Sequence, residues 1–229
     1  MELNTTKYIA ICGGENVGKT THIKMLQQKF PQDLFVKEPG SYQIERAKLY
    51  QKAALDRSYK VGPRERELLF NTSRACQVEQ LIIPELKKGR RIISDRSWLD
   101  GFMYGTAVEK VDPLPLFHCN EFAVQSVFPT HYIFMKKEGI STREPKKNDL
   151  YDDREKEINP KIERTYKFVQ QFIAVLNERY SNGETRKRYN FFFHSFTVDM
   201  AKSIEENNLA LHKLISVIFN ANHWYVEIS

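Results

Sequence analysis

The chain has 229 residues, enough for one α/β domain with a full core, and its 41% apolar and 12% aromatic content excludes a disordered chain. A net charge of +6 suits a polyanionic partner without saying whether that partner is a nucleotide or a nucleic acid. No apolar run reaches membrane-spanning length, Met1–Lys7 lacks the apolar core of a signal peptide, and Cys12, Cys76 and Cys119 form no C-x-x-C pair, which together predict a reducing, cytoplasmic setting.

Tyr8–Cys12 reads as a buried strand. Gly13-Gly14-Glu15-Asn16-Val17-Gly18-Lys19-Thr20 then fits G-x-x-x-x-G-K-[ST]. Thr21–Phe30 follows as a helix with Ile23, Leu26 and Phe30 on one face, stopped by Pro31. Strand, glycine loop and helix in that order make a phosphate cradle, in which backbone N–H groups and a helix N-terminus face an anion. Lys19 adds a point charge and the Thr20 hydroxyl can ligate Mg²⁺, so the loop from Gly13 to Thr21 is expected to bind a nucleoside triphosphate.

Leu34–Val36 is a second, short strand ending before Lys37-Glu38-Pro39-Gly40. Leu68–Leu86 reads as a helix between Pro63 and Gly89. Arg91–Ser94 is a third strand ended by Asp95, and Tyr132–Met135 a fourth. Gly139–Lys156 is charged and breaks periodicity, as a loop would. Ile158, Ile162, Val169, Ile173 and Leu176 mark a long amphipathic helix, Phe191–Phe193 a fifth strand, and Leu211–Ile218 the buried face of a last helix. Alternating strands and helices imply a parallel sheet covered on both faces, in a single domain spanning 1–229, with function at the C-terminal strand ends. The glycine loop, Glu38 and Asp95-Arg96 all fall there. From that place Asp95 can help hold Mg²⁺, and Arg96 can grip a phosphate with two N–H groups. Phe70 and Arg74, four apart on one helix, project a ring and a guanidinium together. The cations Lys136, Lys137, Arg143, Lys146, Lys147 and Arg154 can close over a triphosphate.

These motifs resemble the thymidylate kinase family from Tyr8 to about Tyr166 and more weakly beyond. The loop has the family form G-x-E-x-x-G-K-T-T with Glu15 at its third position. Lys37-Glu38-Pro39-Gly40 is similar to R-E-P-G, Leu68–Ala75 to L-L-F-x-x-x-R-A, and Asp95-Arg96 to the family's D-R, with Tyr104 eight residues on. The resemblance implies a P-loop three-layer α/β/α fold with a five-stranded parallel sheet and a lid near 139–157, acting on ATP and a deoxynucleoside monophosphate, commonly as a homodimer. It implies that Phe70 stacks on the acceptor base, Arg74 bonds its edge, Arg96 holds its phosphate, Asp95 supports the metal, and Tyr104 lies under the sugar and selects deoxyribose.

Several positions depart from the family pattern. The family's D-R-Y is Asp95-Arg96-Ser97, its following polar pair is Asp100-Gly101, and Gly105 follows Tyr104. Gly101 and Gly105 are expected to leave room beside the base and loosen its selection, while Asp100 offers an acceptor suited to an amine. The lid arginine is missing from Asp149–Asp152, which leaves Arg143, Lys146, Lys147 or Arg154 to serve. Two alternatives stay open on the residues. A deoxynucleoside kinase would use Glu38 as a base towards a 5′-hydroxyl, and a nucleic-acid-binding NTPase would use the basic surface, although no recognition helix or stacking platform is present.

Overall fold

In the computed structural model the described residues are 7–40, 43–56, 58, 60–138, 154–181 and 189–220. Five strands, β1 (Tyr8–Gly13), β2 (Leu34–Lys37), β3 (Ile92–Asp95), β4 (His131–Glu138) and β5 (Phe192–Asp199), form one parallel sheet in the order β2-β3-β1-β4-β5. Among the described residues the α-helices around the sheet are α1 (Lys19–Lys29), α2 (Glu45–Leu55), α3 (Pro63–Gln77), α4 (Ile83–Lys87), α5 (Trp98–Ala107), α6 (Pro113–Ala123), α7 (Glu155–Ser181) and, after the last strand, α8 (Ile204–Asn220). The order β2-β3-β1-β4-β5 reverses direction at β1, which puts the crevice for a ligand above β1 and its neighbours.

Side-chain alternation sends β1 into two cores. Tyr8, Ala10 and Cys12 join Trp98, Phe102, Phe117, Ile162 and Val169 on one face, while Ile9 and Ile11 join Ile23, Leu26, Leu211 and Ile215 on the other. With both faces covered, the strands read as continuous apolar runs rather than alternating ones. Trp98 centres the first core, donating from Nε1 to the Tyr132 hydroxyl at 2.7 Å.

The sequence boundaries shift in three places. The helix expected from Leu68 starts five residues earlier at Pro63, and a π-helical turn, Val78–Ile82, separates α3 from α4. The fifth strand extends to Asp199, where its apolar start alone was visible. Of the segment 139–157 expected as a lid, Glu155 onward is already α7, and residues 139–153, Arg143 among them, lie outside the described residues. No helix among the described residues is long and apolar enough to cross a membrane.

Candidate active site

The glycine loop leaves β1 through Gly13, where a Cβ would stand 2.3 Å from the Met135 carbonyl oxygen of β4, so no side chain fits. Gly18, at φ 89°, precedes α1 without a side-chain cap, and the first turn of α1 carries no acidic residue. Its unpaired N–H groups therefore face the loop as an anion site. Lys19 is buried there and folds back so that Nζ donates to the Gly13 oxygen at 2.8 Å and to the Gly14 oxygen. Burial, then the Arg96 charge, lowers its pKa to about 8 against the pull of Glu15, Asp100 and Asp95. Thr20 and Thr21 are exposed in the same turn.

Asp95 closes β3 between Ile11 of β1 and Lys37 of β2. Arg96 follows with φ 68°, a left-handed backbone that a non-glycine residue adopts at a cost, and it turns its side chain back over the loop. Its Nη2 meets Glu15 Oε1 at 2.8 Å, and Tyr104 donates its hydroxyl to the same oxygen at 2.5 Å. The guanidinium also lies 5.5 Å from the centre of the Tyr104 ring. Burial resists ionisation of Glu15, but Arg96, Lys19 and the Tyr104 hydrogen bond bring its pKa down to about 2. Glu15 thus belongs to the glycine loop by backbone and to the Arg96–Tyr104 side by side chain. Its backbone is fixed from α7: Asn159 Oδ1 accepts from Glu15 N at 2.7 Å, and Asn159 Nδ2 donates to Glu15 O at 2.9 Å. Gly14 admits this carboxamide, since a Cβ there would stand 2.1 Å from Asn159 Oδ1.

Asp100, expected to offer an acceptor to an amine on the base, has both of its oxygens engaged by backbone N–H groups. Its Oδ1 accepts from Gly13 N at 3.2 Å and its Oδ2 from Ser97 N at 3.0 Å, while Ser97 Oγ accepts from Leu99 N at 3.2 Å. This is a capping box for α5 whose acid also tethers the loop. The sequence concealed it because the N3 acid of a capping box and a ligand-binding acid look alike.

On α3, Phe70 is half-buried and Arg74 completely buried. Arg74 Nε pairs with Glu38 Oε2 at 3.0 Å, and Nη1 donates to Asn71 Oδ1 at 3.0 Å and Asn120 Oδ1 at 2.8 Å. The second oxygen of Glu38 accepts from the Tyr8 hydroxyl at 2.5 Å. Burial raises the Glu38 pKa despite Arg74 and Tyr8. With both oxygens taken and 1% of its surface exposed, Glu38 aims Arg74 rather than meeting a substrate hydroxyl, which counts against the deoxynucleoside kinase alternative.

The room expected at Gly101 and Gly105 is filled by the protein itself. A Cβ at Gly101 would stand 2.8 Å from Arg74 Nη2, and one at Gly105 would stand 2.7 Å from Leu116 Cδ2 and 3.0 Å from the Glu67 carboxyl. The two glycines let side chains of α3 and α6 press against the backbone of α5. Glu67, Asn120 and Asn159 were all missed in the sequence. Glu67 alone carried a signal, since it lies three and seven residues before Phe70 and Arg74 on a helix that starts at Pro63.

Residues 11–207 match the family model for thymidylate kinase. The chain is 29% identical over 186 residues to the thymidylate kinase of Caldanaerobacter subterraneus subsp. tengcongensis, covering 74% of this chain and 86% of that protein. It is 36% identical over 139 residues to that of Campylobacter concisus, covering 59% and 69%. The crystal structure of thymidylate kinase from Ehrlichia chaffeensis superposes with a TM-score of 0.62 at 15% identity, covering 91% of this chain and 97% of that one, and so shares its fold.

Proposed function

The chain belongs to the thymidylate kinase family, and from that premise we propose that it transfers the γ-phosphoryl group of ATP to dTMP, giving dTDP. The observation that carries this reading is the junction at Glu15, where the ATP loop meets Arg96 and Tyr104 through a single carboxylate oxygen. A kinase for an acceptor that is already a phosphate needs its donor cradle and a phosphate-gripping arginine side by side. It needs no base to make a nucleophile.

In this reading the backbone from Gly13 to Thr21 cradles the donor phosphates and Lys19 shifts from the loop carbonyls onto the transferring group. Arg96 holds the dTMP phosphate, Tyr104 lies under the sugar, Phe70 stacks on the base and Arg74 bonds its edge. Arg143 is the candidate lid cation. Thr20 and Asp95 fit Mg²⁺: a hydroxyl and a carboxylate are hard oxygen donors, and Mg²⁺ is ordinarily held by one or two such groups together with substrate phosphates. Bound there, Mg²⁺ supplies charge neutralisation across the phosphate oxygens.

The chain acts as one domain, and the reading includes a homodimer. Leu68 on α3 and Leu114 and Phe122 on α6 remain exposed, Phe122 at 87%, on two helices that pack together. Light scattering at working concentration gives twice the monomer mass if this holds. The activity itself is tested by incubating the protein with Mg·ATP and, separately, dTMP, other deoxynucleoside monophosphates and thymidine, following ADP. Turnover of thymidine in preference to dTMP would replace this reading with the deoxynucleoside kinase.

A further inference from the structure

The family-like readers of the base on α5 are absent here, and the space they would occupy is taken by α3. Glu67 and Arg74 lie seven residues apart, two turns along α3, and face Gly105 and Gly101, one turn apart on α5. Glu67 is 3% exposed and Arg74 0%. Each nevertheless carries one buried polar atom without a partner, Glu67 Oε2 and Arg74 Nη2. A buried carboxylate oxygen and a buried guanidinium N–H left unmatched each cost free energy that a native core rarely accepts twice on one helix face. The remaining Arg74 donors are fixed by Glu38, Asn71 and Asn120, so the two open N–H groups of Nη2 have set directions.

Resting on the thymidylate kinase reading above, we propose that Glu67 is the specificity-determining acceptor of this enzyme. Arg74 Nη2 donates to the 4-carbonyl of a pyrimidine-2,4-dione, and Glu67 Oε2 accepts a hydrogen bond from its N3–H. The pair matches the thymine edge, one acceptor beside one donor. Cytosine in the same pose sets an amine against Arg74 and a bare N3 against the carboxylate, and is mismatched twice. The glycines at 101 and 105 therefore move base selection from α5 to α3 without abolishing it.

The titration of Glu67 supplies a signature. Burial lifts its pKa to about 7, with Arg74 and Arg66 pulling it down and Glu109 pushing it up. Arg66 is itself paired with Glu109 at 2.7 Å, Cys119 of α6 feels both Arg74 and Glu67, and Glu38 neutralises the far side of Arg74. Above about pH 7 the carboxylate accepts from N3–H; below it the acid turns donor and tolerates the N3 of cytosine.

The experiment measures kcat/KM for dTMP, dCMP and N3-methyl-dTMP from pH 6 to 8.5 with the unaltered enzyme, Glu67→Gln and Glu67→Ala. In the unaltered enzyme the dTMP:dCMP ratio rises through about pH 7, while N3-methyl-dTMP is poorly used at every pH. Effects common to all three nucleotides, such as phosphate or Lys19 ionisation, cancel in the ratio. Glu67→Ala lowers that ratio by about 10- to 100-fold, the factor ordinary for a lost hydrogen bond to a charged group, and Glu67→Gln, which keeps a neutral acceptor, flattens its pH dependence. In Glu67→Ala the penalty for N3-methylation shrinks to within a few fold. A ratio and an N3-methyl penalty unchanged by either substitution would overturn the inference and leave Glu67 a buried structural acid. If neither variant folds, the unaltered enzyme still decides: a dTMP:dCMP ratio flat from pH 6 to 8.5 overturns it. Failure of the unaltered enzyme to use dTMP at all would remove the parent reading together with the inference.

Discussion

Asn159 closes on Glu15 from 144 residues away, accepting from its N–H at 2.7 Å and donating to its carbonyl at 2.9 Å. One carboxamide thereby satisfies both backbone groups of a residue whose side chain already holds Arg96 and Tyr104. Helix α7, the donor loop and the acceptor-side pair meet at this point. Asn159→Ala leaves the Glu15 N–H unpaired and should cost roughly 2 kcal/mol, or about 4–8 °C in Tm for a chain this size. Because Glu15 faces both ways, KM for ATP and KM for dTMP should rise together. Steady-state kinetics beside a thermal melt check this, and a change in one KM alone would refute the coupling.

Lys19→Ala and Asp95→Ala should each reduce kcat by about 10²–10³-fold, the ordinary cost of deleting one charge-stabilising group from a transition state. Lys19 opens α1 beyond the end of β1 and Asp95 ends the neighbouring β3, and neither belongs to the two apolar cores. The circular dichroism spectrum should therefore match that of the unaltered protein. Near-normal turnover in either variant would remove that residue from the chemistry.

Arg96→Ala should raise KM for dTMP and cut kcat/KM for it by about 10²-fold or more, since a charge-assisted contact to a dianion is lost. ATP binding, followed by fluorescence of a nucleotide analogue, should change by no more than about threefold. An equal loss of ATP affinity would place Arg96 at the donor.

The pH profile has a basic limb set by Lys19. Its folded pKa lies at about 8 because burial, then Arg96, disfavours the ammonium. The charged form is full below that value and lost above it, so kcat/KM for ATP should fall as pH rises through about 8, while kcat, reporting the phosphate-bound lysine, holds to higher pH. Stability carries the opposite sign. Between about 8 and the ordinary lysine value the unfolded chain binds more protons, so this group favours folding increasingly as pH rises. An ATP kcat/KM flat to pH 9.5 would contradict the burial of the free ammonium.

Much of this was legible in the chain, for reasons that also explain what was not. The strands and the glycine loop announce themselves because apolar runs and fixed glycines are local signals. Helix α5 escaped notice: Trp98-Leu99, Phe102-Met103 and Ala107 are buried on nearly every side, so no polar face marks a period. Helix α2 escaped for the opposite reason, burying only Ala47 and Ala54. Asp100 was seen as chemistry and is a cap and a tether. Gly101 and Gly105 were seen as empty room, but a missing side chain says nothing of which neighbour moves in. Asn159 had no signal at all, because its partners are backbone atoms that every sequence possesses.

The π-helical turn between α3 and α4 has a consequence for how this protein tolerates change in length. Arg74, Val78, Ile82 and Leu86 are all buried at strict steps of four. In an uninterrupted α-helix such a ladder drifts about 40° per step, so Leu86 would leave the core that Val78 enters. The wider turn absorbs the drift and keeps both ends facing inward. It therefore behaves as a one-residue insertion already accommodated. Deleting Glu79 or Gln80 should yield a continuous helix in which Val78 and Leu86 stand seven residues apart, about 20° short of two full turns, so Leu86 stays inward, Glu67 and Arg74 keep their place, and melting temperature and turnover both survive. Lengthening the same stretch by one more residue has no such slack to draw upon.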